Sequence, residues 1–112
     1  MAVAQPAAAR GEVYLVQLNR TRGSEIRKSR PCLIVSPDEL NEHLRTVIVA
    51  PMTTGGQAYP WRIRCRFQGR NGFVATDQVR TVDIDRLARR LGRLAPNSVT
   101  MVLAVLQEMF AP

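Results

Sequence analysis

Between Trp61 and Phe67 the sequence reads WRIRCRF, three arginines alternating with apolar residues. An extended chain rises ~3.3 Å per residue and turns successive side chains to opposite faces. Arg62, Arg64 and Arg66 then share one face at about 6.6 Å spacing, with Ile63, Cys65 and Phe67 on the other. Phosphates along one nucleic-acid strand are spaced similarly, and each guanidinium offers them a planar fork of donors. Trp61 and Tyr59, at the head of the row, are placed to stack on bases. The pattern describes equally well an exposed sheet face kept soluble by charge, and alternation alone does not choose between the two.

A second candidate lies in KSRPCLIVS, residues 28–36. Proline fixes φ and lacks an amide, so it suits the first position of a strand and holds the residue before it extended. Arg30 therefore stands where a loop meets a buried strand, either as a binding group on a rigid scaffold or as a basic guard against edge pairing. Cutting a phosphodiester requires a base, an acid, and positive donors for the charge that develops on phosphorus. The only histidine, His43, falls on a helical turn and reads as an incidental surface residue. The carboxylates are scattered and none stands at ligand spacing from a histidine, so neither a metal nor another cofactor is expected. Cleavage without a metal would use the 2′-hydroxyl of RNA as nucleophile, which points away from DNA. Cys32 and Cys65 form no CxxC pair and read as reduced core residues of a cytoplasmic protein.

The elements that must position these groups follow from the rest of the chain. Its 112 residues, 46% hydrophobic, suit one domain with a real core. The net charge is +7, with Lys28 the only lysine among 16 cations, and the isoelectric point is near 11.0. A polyanion, nucleic acid or an acidic protein, is the partner class such a field attracts, although arginine-rich composition also follows from a GC-rich genome. Residues 1–9 read as a frayed tail rather than a signal peptide, residues 10–112 as the domain, and no run approaches the ~18 apolar residues of a membrane span.

Strands are expected at 12–18, 31–36, 45–52 and 61–67, with a fifth region at 73–82. A long loop spans 19–30, and a helical turn follows Ser36 as N-cap, with Pro37 and Glu39 completing a capping box. The segment 83–94 fits either a helix or a turn followed by a last strand. From Pro96 an amphipathic helix carries Val99, Val102, Leu103, Leu106 and Phe110 on one stripe. The sum is a mainly β, α+β chain: a small SH3-like antiparallel barrel with a C-terminal helix.

RGEVYLVQL at 10–18, GSE at 23–25, RPCLIVS at 30–36, Asn41, VIVAPMTT at 47–54 and DQVRTVDIDRL at 77–87 arrive in one order and spacing. In this the sequence resembles the MazF/PemK toxins, the mRNA interferases of type II toxin–antitoxin operons. The resemblance implies a homodimer of SH3-like barrels that cleaves single-stranded RNA at short motifs, without metal, leaving a 2′,3′-cyclic phosphate and a 5′-hydroxyl. It gives Arg30 and Thr53 catalytic roles as donors to the phosphate. Glu25 is a candidate for orienting Arg30 or assisting proton removal, or else a solvated loop carboxylate. Asp77 and Gln78 either shape the same pocket or stabilise a turn. Lys28, Thr54 and Arg80 complete the expected RNA contacts beside Trp61, Arg62 and Arg64.

One branch of that family has a histidine where this chain has Ser24 and an arginine where it has Ala75, so the acid/base arrangement of that branch is not intact here. The arginine–threonine version is retained. The resemblance further implies a cognate antitoxin that lays an acidic, disordered segment in the basic groove, and a toxin–antitoxin complex that binds operator DNA through the antitoxin. Two other readings stay open: a same-fold toxin that poisons DNA gyrase by protein contact, and a non-catalytic basic nucleic-acid-binding module.

Overall fold

β-Branched and aliphatic residues in EVYLVQL form the first strand, β1 (Glu12–Leu18), in a computed structural model that describes residues 7–18, 22–26 and 28–112. β2 (Lys28–Ile34), a short helix α1 (Asp38–His43) and β3 (Thr46–Thr53) follow. β4 (Arg62–Phe67) and β5 (Arg70–Ala75) make a hairpin, and a 3₁₀ turn (Thr76–Gln78) leads to β6 (Arg80–Asp83). After a second 3₁₀ turn (Ile84–Arg86) come β7 (Leu87–Arg93) and the closing helix α2 (Pro96–Met109).

The pairings are antiparallel and the strand order is β4-β5-β3-β2-β1-β7, with β6 also on β3. β3 holds the arrangement together, because it changes partner along its length. Thr46 to Val49 face β6, whereas Met52 and Thr53 face β5. Pro51 sits in the interval between the two, where a missing amide interrupts neither ladder.

From Cys32 to Ile34, β2 is buried on both faces. Leu33 packs with Val13, Ala50, Val74 and Val102 beneath α2, while Cys32 and Ile34 pack with Val16, Val47, Val49 and Val82 on the other side. Truncating a core residue such as Leu33 to Ala would cost about 2–5 kcal/mol.

Most expected elements are present, with five corrections. β2 begins at Lys28 rather than at the proline, so Lys28 and Arg30 are strand residues paired with Leu18 and Val16. Lys28 holds φ at +69°, a left-handed conformation that a β-carbon disfavours. Ser36 does not cap α1: Pro37 occupies the cap, and the Ser36 hydroxyl instead donates to Asn41 Oδ1 and accepts the Ile48 amide. Buried Asn41 in turn donates to the carbonyls of Ala8 and Ser36, and Ala8 is itself buried, so the ordered chain begins before residue 10; residues 1–6 lie outside the described ones.

The ambiguous 83–94 segment resolves into turn and strand, since β7 pairs with β1 from Glu12↔Arg93 to Val16↔Leu87. Phe110 ends α2 and is 72% exposed, so the stripe stops at Leu106. The barrel is also not closed by a ladder among the described residues. Its end strands meet through side chains, Gln68 Nε2 donating to the Leu91 carbonyl at 3.0 Å and Phe67 lying against Gly92.

Candidate functional site

The site begins where the β2–β3 ladder stops. Its pairs are Ile34↔Val49, Leu33↔Ala50 and Cys32↔Pro51. Pro31, next in line, has no amide to continue the ladder. Beyond it the strand ends form one wall of an open cleft of about 420 Å³, with Ser29, Arg30 and Pro31 from β2 and Met52, Thr53 and Thr54 from β3 and its continuation. The opposite wall is the β4–β5 hairpin, through Cys65, Phe67, Gln68, Arg70, Asn71 and Gly72. Arg30 and Thr53 thus share one concavity, with Arg70 as a second cation. The Thr53 hydroxyl donates to the Gly55 carbonyl at 3.0 Å, a bond it must exchange to donate elsewhere.

Two glycines shape the hairpin wall. Gly69, with Gln68, takes positive φ at the two-residue turn between Phe67 and Arg70, the geometry such hairpins demand. At Gly72 a β-carbon would lie 2.0 Å from the Thr53 carbonyl oxygen, so only glycine lets β5 come so close to the threonine.

Glu25 lies outside this cleft. With Ile26, Pro51, Asp77, Gln78 and Arg80 it lines an adjoining recess of about 180 Å³, and β3 passes from one to the other between Pro51 and Met52. Glu25 Oε1 accepts the Arg22 amide at 3.1 Å. Thr54 also borders a third depression with Arg64 and Arg66. Of the expected RNA contacts, Lys28 is exposed on β2, while Trp61 stacks on Tyr59 with ring centres 5.0 Å apart and planes 5° from parallel. Both rings are about two-fifths exposed.

The arginine row has partners within the chain. Arg62 binds Asp77 through two guanidinium nitrogens, Arg64 lies 5.7 Å over the Phe73 ring, and Arg66 reaches Asn71 at 3.5 Å. The hydrogen bonds and charge of Arg62 hold the Asp77 carboxyl below the usual range despite partial burial, so it is a carboxylate at neutral pH. His43, on α1, donates from Nδ1 to the Glu39 carbonyl at 2.7 Å. Among the described residues no three of His, Cys, Asp and Glu are grouped closely enough to hold a metal ion.

The hairpin wall was not legible in advance. QGRNG reads as a turn, and only the fold swings Gln68, Arg70, Asn71 and Gly72 across from Thr53.

The family described as "PemK-like, MazF-like toxin of type II toxin-antitoxin system" matches residues 9–110. This chain belongs to that toxin family. It is 37% identical over 100 residues to the endoribonuclease PemK of Escherichia coli, covering 84% of this chain and 75% of PemK. To the E. coli K12 endoribonuclease toxin MazF it is 30% identical over 95 residues, 84% of this chain and 86% of that protein. The MazF structure from Deinococcus radiodurans superposes with a TM-score of 0.82 at 23% identity, over 92% of this chain and 96% of that one, which speaks for the fold. A mycobacterial endoribonuclease solved in complex with its cognate antitoxin gives a TM-score of 0.79 at 26% identity, over 95% of this toxin and 98% of that chain.

Proposed function

We propose that this toxin is an endoribonuclease that cuts single-stranded RNA at the Arg30–Thr53 cleft, without a metal. The reading is carried by one observation: a guanidinium and a hydroxyl, delivered by neighbouring strands, line one open cleft large enough for a phosphate and its sugars. In the reaction the 2′-oxygen bonds to phosphorus, the P–O5′ bond breaks, and the electron pair leaves with the 5′-oxygen. The 2′-hydroxyl proton passes to a base, for which we propose Glu25 in the adjoining recess. A proton from solvent water completes the 5′-hydroxyl, and the other product is a 2′,3′-cyclic phosphate. Arg30 is the bidentate donor to the charge that builds on the phosphorane, and Thr53 adds a neutral hydrogen bond.

The same reading gives the toxin a cytoplasmic RNA substrate and a second copy as dimer partner. It also gives it a cognate antitoxin whose acidic segment occupies the basic cleft and through which the complex reaches operator DNA. No helix among the described residues is long and apolar enough to cross a membrane.

The test is purified toxin with a long single-stranded RNA in EDTA, cut sites mapped by primer extension, beside Arg30→Ala. Discrete cuts that vanish in the variant support the reading. Binding without product, or a strict need for added Mg²⁺, overturns it.

A further inference from the structure

Arginines stand at positions 62, 64, 66 and 70 of the β4–β5 hairpin, and register sorts them. Arg62 pairs with Ala75, Arg64 with Phe73 and Arg66 with Asn71, whereas Arg70 pairs with Phe67. Residues directly paired in an antiparallel ladder share a face, and successive ones alternate. Arg70 is therefore on the side of Ile63, Cys65 and Phe67, which pack on the core, and Arg64 and Arg66 are on the other. The inner side runs on past the core as a wall of the cleft, so Arg70 enters it across from Arg30 and Thr53.

The outward arginines are engaged, Arg62 by Asp77, Arg64 by the Phe73 ring and Arg66 by Asn71. The exposed Arg70 side chain has no hydrogen bond, ion pair or ring contact among the described residues. Its backbone is nonetheless fixed. The tight turn before it holds Gln68 and Gly69 at positive φ, and Gln68 Nε2 ties the tip to the Leu91 carbonyl.

Among the described residues no carboxylate lines the cleft, and its charged groups are Arg30 and Arg70. A phosphodiester carries one negative charge. The phosphorane, in which the 2′-oxygen has bonded and the 5′-oxygen has not yet left, carries two. One guanidinium matches the first charge. The second exists only in transit, and a donor that meets it there raises the rate rather than the affinity.

We infer that Arg70 is a further catalytic residue: from the hairpin wall it donates to the non-bridging phosphoryl oxygen that faces away from Arg30, and so stabilises the charge that appears only on the way to product. Arg70 moves no proton. The bonds made and broken are those of the ribonuclease reading, on which the inference rests.

The experiment compares wild type with Arg70→Ala, Arg70→Lys and a charge control, Arg45→Ala, whose arginine pairs with Asp85 on the surface. One single-stranded RNA is cut in EDTA under single-turnover conditions across a range of toxin concentrations. This separates the rate at saturation from the half-saturating concentration. Urea unfolding confirms that the proteins compared share one fold. Arg70→Ala should lose about 10²-fold in the saturated rate, with half-saturation moved by less than about threefold. Lysine, a point charge without the fork, should recover part of the rate, and Arg45→Ala should match wild type. A wild-type rate at saturation with weaker binding, its salt slope reduced by about 0.7, makes Arg70 an anchor for a neighbouring phosphate and overturns the inference. Arg70→Ala indistinguishable from wild type overturns it too, as does an equal loss in Arg45→Ala. In each of these the wild type still cuts, and the ribonuclease reading stands. A wild type that cuts no RNA in EDTA defeats that reading, and the role of Arg70 falls with it.

Discussion

Carried two residues past its last pair, the β2–β3 register sets Arg30 opposite Thr53. The two lie 23 residues apart in sequence, and each stays in the sheet through its other neighbour, Arg30 paired with Val16 of β1 and Thr53 with Phe73 of β5. Only the β2–β3 ladder stops, at Cys32↔Pro51, and beyond it the two strands diverge to other partners and leave Arg30 and Thr53 lining one cleft.

Arg30→Ala should lower cleavage by about 10²–10³-fold, the usual loss for one preorganised donor to a developing anion. Arg30→Lys should recover only a small part, since an ammonium cannot fork. Single-turnover kinetics in EDTA measure this, and a lysine variant as fast as wild type would refute the bidentate role.

Thr53→Val should slow cutting by roughly tenfold, one hydrogen bond's worth of transition-state stabilisation, while Thr53→Ser stays near wild type. Gly72→Ala acts on the same threonine from behind. A methyl group 2.0 Å from the Thr53 carbonyl must push β5 or Thr53 aside. We expect about 1–3 kcal/mol lost in urea unfolding, together with a fall in cleavage rate. Full activity in Gly72→Ala would show that the position of the threonine does not matter.

Glu12 supplies a pH dependence. Burial raises its carboxyl, but bonds from Arg90 and the Ala9 amide, with the charges of Arg90 and Arg93, outweigh burial and leave it below its ordinary 4.5. A depressed carboxylate stabilises the fold fully above its unfolded value and loses that contribution as pH falls through the lower folded one. The gap in urea midpoint between wild type and Glu12→Gln should therefore be greatest near neutrality and shrink in acid. A gap that stays constant from neutral pH into acid would contradict it.

The two thiols should differ. Burial pushes Cys32 up to about 12 and it has no exposed surface, whereas Cys65 is half-buried at the cleft. Iodoacetamide on the native toxin at pH 8 should add at most one label, at Cys65, with Cys32 reacting only in denaturant. Labelling of Cys32 in the folded protein would contradict its place in the core.

Period-two alternation made β1 and β4 legible, a continuous apolar run marked β3 as buried on both faces, and a stripe at helical spacing marked α2. The start of β2 was hidden because Lys28 and Ser29 have no strand character, and their pairing with Leu18 and Gln17 is a property of β1. Ser36 and Glu39 spelled a cap, but Asn41 gave the serine a better-buried partner. Arg30 was marked by the proline after it and given its role by resemblance, whereas Thr53 and Thr54 were picked out by resemblance alone. The arginine row was visible, yet the partners that occupy it, Asp77, Phe73 and Asn71, lie on segments whose placement no alternation discloses.

Translation reaches Arg30 and Thr53 well before the hairpin wall that completes their cleft, and before Phe73 and Val74 clamp the end of β3. A nascent chain that stops just past Thr54 thus carries both groups with one wall of their cleft still to be made, and with β7 and Val102 of α2 missing from the sheet and core.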